Sequence, residues 1–229
     1  MSDPIVPQQK ILVIKLGALG DVIQALGPMA AIRKHHAGDH ITVMTTPAFR
    51  ELIEAADVAN DVLIDTRPSS VDIFGWLSLR RTLRQGKYTR VYDLQTSGRS
   101  NRYAKLFWPG PMPEWSGIAA GCSHPHANPA RDSMHTIERQ ADQLKAAGIE
   151  TTPAPDLAPI VRDISHLKLP KEFCLIVPGG AEHRPEKRWP QGFYQKLVQH
   201  LDAQMITPVV CGGANERDLC ASIVEGSAK

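Results

Sequence analysis

Carboxylates, cations and glycines at three places in this chain could do chemistry. The first is Asp21, which closes Lys15-Leu16-Gly17-Ala18-Leu19-Gly20-Asp21. The second is Arg99 and Arg102, three residues apart, with Lys105 just beyond. The third is Gly179-Gly180 followed by Lys187-Arg188, with Glu216 after a further pair, Gly212-Gly213. A carboxylate held at a glycine turn can take a proton from a hydroxyl, and a lysine or arginine can stabilise a departing phosphate. Arginines on one helix face suit carboxylates and phosphates. Asp21 has a plainer reading as a helix N-cap, where an Asp oxygen accepts an orphan backbone N–H. Spacing alone leaves both open.

The elements that must position these residues alternate strand and helix. Residues 11–14, Ile-Leu-Val-Ile, form an apolar run without alternation, as in a parallel strand buried on both faces. Gly17 and Gly20 bend the chain, and Val22, Leu26, Met29 and Ala30 recur with helical period after Asp21. In open α/β sheets such turns lie at the carboxyl edge of the strands, where ligands bind. Further strands are predicted at 41–44, 62–64 and 91–94, with helices near 48–56, 74–83 and 100–107. This order argues for a parallel doubly wound sheet.

Pro109, Pro111 and Pro113 open an irregular stretch to Pro129, and a long helix is predicted over 132–147, stopped by Gly148. Residues 151–159 carry three prolines and read as a linker. The grammar then restarts. A buried strand at 173–177 leads to Pro178-Gly179-Gly180, and a helix begins with Pro190 in its first turn. A strand at 206–210, Gly212-Gly213 and a helix over 215–224 complete it. Two parallel strands and two helices cannot cover both faces of a sheet, and a domain of about 60 residues of this kind is marginal. The sequence is therefore expected to be a C-terminally truncated version of a longer two-domain protein.

Several chemistries are disfavoured. The first turn has G-x-x-G, not G-x-G-x-x-G, and the second strand ends in Thr45-Thr46-Pro47 without the acid that a dinucleotide site needs. Gly20 is followed by Asp, not by the Lys-Ser/Thr of a P-loop. Cys122, His124 and His126 match no common zinc spacing, and no Asp-x-Asp is present. Neither metal nor cofactor is expected. With 42% hydrophobic and 22% charged residues the chain is an ordinary globular one, and its net charge of +2 gives no argument for nucleic acid. There is no secretory start and no run of roughly 20 apolar residues. Four scattered cysteines without C-x-x-C read as reduced, mostly buried thiols of a cytoplasmic protein. The cluster Arg80, Arg81, Arg84, Lys87 and Arg90 can serve as a plain solvated face or touch an anionic membrane surface.

Three segments together resemble glycosyltransferase family 9, the ADP-heptose:lipopolysaccharide heptosyltransferases. They are Ile14 to Asp21, Tyr92-Asp93-Leu94-Gln95 with Arg99-Ser100, and Pro178-Gly179-Gly180-Ala181 leading into Arg184-Pro185-Glu186-Lys187-Arg188-Trp189-Pro190. The resemblance implies an α/β fold of GT-B type, two Rossmann-like domains with parallel sheets facing each other over a cleft, the second incomplete. Residues 1–160 would receive the acceptor and 161–229 the nucleotide-sugar. It implies transfer of heptose from ADP-heptose to the Kdo–lipid A inner core by an inverting, metal-independent mechanism, at the inner face of the cell membrane. Asp21 matches the family's proposed base, and Lys187 its phosphate-neutralising lysine. Gly179, Gly180, Arg188 and Glu216, the last near the ribose, would bind the donor. Lys15, Gly17, Gly20, Arg99 and Arg102 would bind the acceptor.

The family continues with more strands and an Asp-Thr-Gly-x-x-His segment that this sequence lacks, so the 229-residue chain is expected to bind ADP-sugar poorly and to be inactive. A GT-B transferase using another nucleotide-sugar, and a noncatalytic nucleotide- or sugar-binding module, are the alternatives.

Overall fold

The computed structural model describes residues 8–180 and 185–225, so Ala181 to Arg184 of the third segment lie outside the described residues. The chain divides into two compact units, Met1–Val161 and Arg162–Lys229.

In the first unit β1 (Lys10–Ile14) leads into α1 (Leu19–His35), and β2 (His40–Thr45) into a short 3₁₀ turn and α2 (Arg50–Ala55). Then come β3 (Asp61–Ile64), α3 (Ile73–Gln85), β4 (Arg90–Asp93), α4 (Gly98–Lys105), β5 (Glu114–Gly117), β6 (His124–Pro125) and α5 (Thr136–Ala146). All six strands pair in parallel in the order β3-β2-β1-β4-β5-β6. The order reverses between β1 and β4, whose ends are in register at Ile14 and Asp93. The crevice for a ligand lies outside the carboxyl ends of the strands at such a reversal.

The unbroken apolar run of β1 is explained by two cores. Ile11 and Val13 enter one with Val22, Leu26 and Met29 of α1 and Leu144 of α5. Leu12 and Ile14 enter the other with Leu79 and Leu83 of α3, Tyr103 of α4 and Trp115. Ala25 is buried in the α1 face and Ala30 only partly so.

Several sequence expectations are corrected. β5 and β6 fall inside the stretch expected to be irregular. Both are short, and Ser116, Gly117 and Pro125 carry little strand signal. α5 starts at Thr136 rather than 132, capped by His135, whose Nδ1 accepts from Ile137 N. Its most buried side chains are Leu144 and the polar Gln140 and Gln143, so its inner face is not defined by apolar residues alone. The thiols are not buried: Cys122, Cys174 and Cys220 are partly exposed and Cys211 is exposed, all unbonded to one another. The proline-rich segment 151–159 is no free linker, because it packs on the first unit at Gly27 of α1.

The second unit holds β7 (Phe173–Ile176), α6 (Gln191–Ala203), β8 (Thr207–Val210) and α7 (Arg217–Val224), with β7 and β8 a parallel pair. Ile176, Val198, Leu201 and Ile223 form its small core. Only Ile176 of β7 is buried, while Phe173, Leu175 and Val177 are exposed. The strand expected to be buried is thus covered on one face only. Pro190 sits at the N-cap of α6 rather than in its first turn.

Gly27 gives a test of the packed segment. Helix propensity alone would make Gly27→Ala stabilising by about 1 kcal/mol, but the new methyl would meet the Pro153 carbonyl oxygen, a backbone atom that cannot swing aside. The expected net effect is a loss of roughly 1–3 kcal/mol in urea unfolding, since overpacking outweighs propensity.

Candidate functional site

At the end of β1, Gly17 takes φ +135°, and a Cβ there would sit 2.9 Å from the Phe49 ring, so both conformation and space require glycine. Gly20 has open space around it. α1 begins two residues before Asp21, which places Asp21 in its first turn and not at the N-cap. From there its Oδ2 accepts from the Ala18 amide at 3.2 Å, as the N3 acid of a capping box does. The side chain remains partly exposed, and Oδ1 has no hydrogen bond among the described residues. Asp21 therefore does capping work while presenting an oxygen at the carboxyl edge of the sheet.

Below it, Lys15 is buried rather than displayed, its Nζ donating to the Leu94 carbonyl at 3.4 Å. Burial pushes its pKa down, against the opposing pull of Asp21 and with Arg139 adding to the depression. Asp93, at the end of β4, is fully buried. Its Oδ1 accepts from the Gln95 and Thr96 amides at 3.1 and 3.0 Å, and its Oδ2 has no hydrogen-bond partner among the described residues. Desolvation raises its pKa to about 6, although Ser100, the two amides and Lys15 favour the charge. Gln95 Oε1 accepts from the Leu16 amide at 2.9 Å and so stitches the β4 turn to the β1 turn. Gln143 Nε2 donates to the Asp93 carbonyl at 3.0 Å from below.

Arg99 and Arg102 do not act as a pair. Arg99 donates twice to the Pro68 carbonyl at 3.3 Å, and its guanidinium lies 5.8 Å from the Trp76 ring centroid. It thereby holds the loop after β3. In that loop the buried Asp65 accepts a 2.6 Å bond from the Tyr103 hydroxyl, and burial followed by this bond raises the Tyr103 pKa. Arg102 and Lys105 are exposed on α4. His124 of β6 lies 3.2 Å from Arg90 of β4, and His126 just after β6 lies 2.8 Å from Asp142 of α5, so both tie neighbouring elements together.

In the second unit Glu216 joins two glycine turns. Its Oε1 accepts from Gly180 N at 3.2 Å and its Oε2 from Gly213 N at 2.8 Å. A Cβ on Gly179 would collide with the same carboxylate, which explains glycine there. Arg188 donates to the Gly180 carbonyl at 2.6 Å, and its Nε is buried without a hydrogen-bond partner among the described residues. Gly180, Arg188, Gly213, Asn215 and Glu216 line a cleft of about 630 Å³. Lys187 is exposed at the end of the 3₁₀ turn Pro185–Lys187. Of the residues expected to bind the donor, Gly180, Arg188 and Glu216 are thus together. Sequence reasoning missed Asp65, Tyr103, Gln143 and the roles of Asp93 and Gln95, although Asp93-Leu94-Gln95 was there to be read as an acid and an amide at a strand end.

Asp93 gives the site a pH signature. Its folded pKa lies above its unfolded one, so the folded state binds more protons between them and stability falls as pH rises through that window. From about pH 4 to pH 8 the wild type should lose roughly 2–3 kcal/mol relative to Asp93→Asn, as read by urea unfolding at several pH values. A flat difference would show that the carboxyl is not desolvated.

The profile of glycosyltransferase family 9 (heptosyltransferase) matches residues 76–228. No curated protein matches the sequence. Among solved structures, the family 9 glycosyl transferase of Veillonella parvula superposes with TM-score 0.77 at 20% identity, covering 96% of this chain and 67% of its own. Escherichia coli ADP-heptose lps heptosyltransferase II gives 0.70 at 21% identity, with 95% and 69% covered. Escherichia coli heptosyltransferase WaaC, with ADP-2-deoxy-2-fluoro heptose, gives 0.66 at 18% identity, with 96% and 74% covered. These likenesses identify the fold as that of GT-B glycosyltransferases, and the profile match settles the family. The chain belongs to glycosyltransferase family 9, the heptosyltransferases.

Proposed function

We propose that the protein transfers heptose from ADP-heptose to a Kdo–lipid A type acceptor in the lipopolysaccharide inner core, on the cytoplasmic side. Residues 1–160 take the acceptor and residues 161–229 the donor. The reading is carried above all by Asp21, a partly exposed carboxylate fixed at the switch point of the sheet, with one oxygen unengaged among the described residues. In the reaction Asp21 accepts the proton of the acceptor hydroxyl, whose oxygen forms a bond to the anomeric carbon as the bond to the ADP β-phosphate breaks. The configuration inverts, and Lys187 and Arg188 neutralise the charge left on the diphosphate. No metal is assigned to this step. The helix N-terminus favours the charged form of Asp21 and so weakens it as a base, an effect that desolvation by bound substrate must offset.

For the donor, the cleft at Gly180 and Glu216 supports a nucleotide site, and WaaC was crystallised with an ADP-heptose analogue. Both Glu216 oxygens are taken by backbone amides, so its part is to hold the Gly180 and Gly213 turns in shape around the ligand. For the acceptor, Gly17 and Gly20 let substrate approach the turn, and Arg102 offers an exposed cation. Arg99 fixes the loop beside it, and Lys15 acts from beneath through its charge.

The capping bond favours a second reading, a binding module in which Asp21 only caps α1. Asp21→Asn separates the two, because asparagine still accepts from Ala18. In a full-length protein that contains this chain, the variant should lose about 10²–10⁴-fold in transfer from ADP-heptose with its melting temperature unchanged. Transfer that persists would favour the module. Activity should survive EDTA and fall with Lys187→Ala, and loss in chelator would overturn the metal-independent mechanism.

A further inference from the structure

The composition conceals a concentration of charge. Between Ile73 and Pro113 there are eight Lys and Arg and a single carboxylate, the buried Asp93, in a chain whose net charge is only +2. Within this segment α3 buries Leu79 and Leu83 in the core and turns its other face outward. That outer face begins with apolar side chains. Ile73 is 69% exposed, Phe74 85% and Leu77 54%, and Val71 just before them is 84% exposed. Phe74, Leu77, Arg81 and Arg84 follow at spacings of three and four, so one stripe runs from apolar to basic along the helix. Arg80 donates to the Leu106 and Trp108 carbonyls at 3.2 and 3.0 Å and ties the loop bearing Trp108, itself 72% exposed, to the same helix. Arg102 and Lys105 are exposed on α4, whose Tyr103 packs on Trp76 of α3. The nearest exposed acid, Asp72, is engaged as the α3 N-cap by Gly75 N.

Single exposed apolar residues are ordinary, but a clustered set bordered by cations is not. Such a stripe has the make-up of an interfacial helix, with phenylalanine and isoleucine for the acyl boundary and arginines for lipid phosphates. Exposed tryptophan favours the same boundary. We propose that the outer face of α3, with Trp108 beside it, docks this protein on an anionic phospholipid bilayer. Val71, Ile73, Phe74 and Leu77 enter the interface, and Arg81, Arg84 and Lys105 meet the headgroups. A protein partner would not require so uniform a charge, whereas a bilayer surface is uniformly negative. The inference does not rest on the donor or acceptor assignment, and its test contains neither.

Cosedimentation of the chain with vesicles decides it. Binding is expected to phosphatidylcholine vesicles containing one-third phosphatidylglycerol, and at least about tenfold weaker binding to pure phosphatidylcholine. High salt should weaken the first and leave the second unchanged. Ile73→Ser with Phe74→Ser should lower partitioning at least about tenfold, and Arg81→Gln with Arg84→Gln by about fivefold per arginine. All four side chains are outward-facing, so the melting temperature should not move. Equal binding to both vesicles, or variants that bind as the wild type does, would overturn the proposal. So would a dimer abolished by the Ser pair together with no vesicle binding, which would assign the face to a second copy of the chain.

Discussion

β1 and β4 run side by side in parallel, yet their chains leave to opposite faces of the sheet. α1 packs with α5 on one side, and α3 with α4 on the other. Where two neighbouring strands part like this, no helix can cover both ends, and backbone groups at the edge lose their ladder partners. A buried group without a partner costs about as much as a lost hydrogen bond. The chain supplies the missing partners from side chains. Asp93 takes two amides of its own turn, Gln95 reaches the β1 turn, and Gln143 and Lys15 meet the carbonyls of Asp93 and Leu94. The crevice and its polar lining thus have one cause.

The second unit differs, because α6 and α7 share one core on the same side of β7 and β8, yet its two glycine turns are likewise joined by a side chain, Glu216, which receives amides from both. In each unit a side chain beyond one turn reaches the turn of the adjacent strand, so two loops that could move separately are fixed as one surface. That is the preorganisation a transferase needs, since donors and charges must be in place before the bond breaks. It also limits what such residues can do directly. A carboxylate that already holds two amides shapes the ligand's surroundings more than it binds the ligand.

The sheet was legible because its first four strands contain apolar runs ended by turn residues, a signal that burial on both faces enforces in β1 and β2 and that survives in the partly buried edge strand β3. β5 and β6 were not, because a strand of two to four residues near a sheet edge needs no apolar period. The placement of the candidate residues at strand-end turns was legible in outline. Asp21, Arg188 and Glu216 stand at glycine turns, and glycine spacing is local information. The destination of a side chain is not local. Nothing in the sequence near Arg99 says that it reaches Pro68, or near Lys15 that it is buried, since both depend on which strands become neighbours. The helix start two residues before Asp21 was missed for a related reason. Ala18 has no side-chain acceptor to mark a cap, and the acid that completes it lies in the first turn.

Net charge says little about a surface for a physical reason too. Electrostatic attraction falls off over a Debye length of about 8–10 Å, so a partner at a surface responds to the charges within that range and not to the sum over the chain. A value near zero arises equally from mixed charges everywhere and from a basic face balanced by acids elsewhere. The α3–α4 layer is the second case. Its inner surface must be apolar to pack on Leu12 and Ile14, which leaves only the outer positions free to vary. Those positions hold arginines and exposed apolar groups instead of the mixed signs that solubility alone would favour. The sheet therefore separates two tasks: its edge gathers the polar groups of the candidate chemistry, and one of its faces carries the charge.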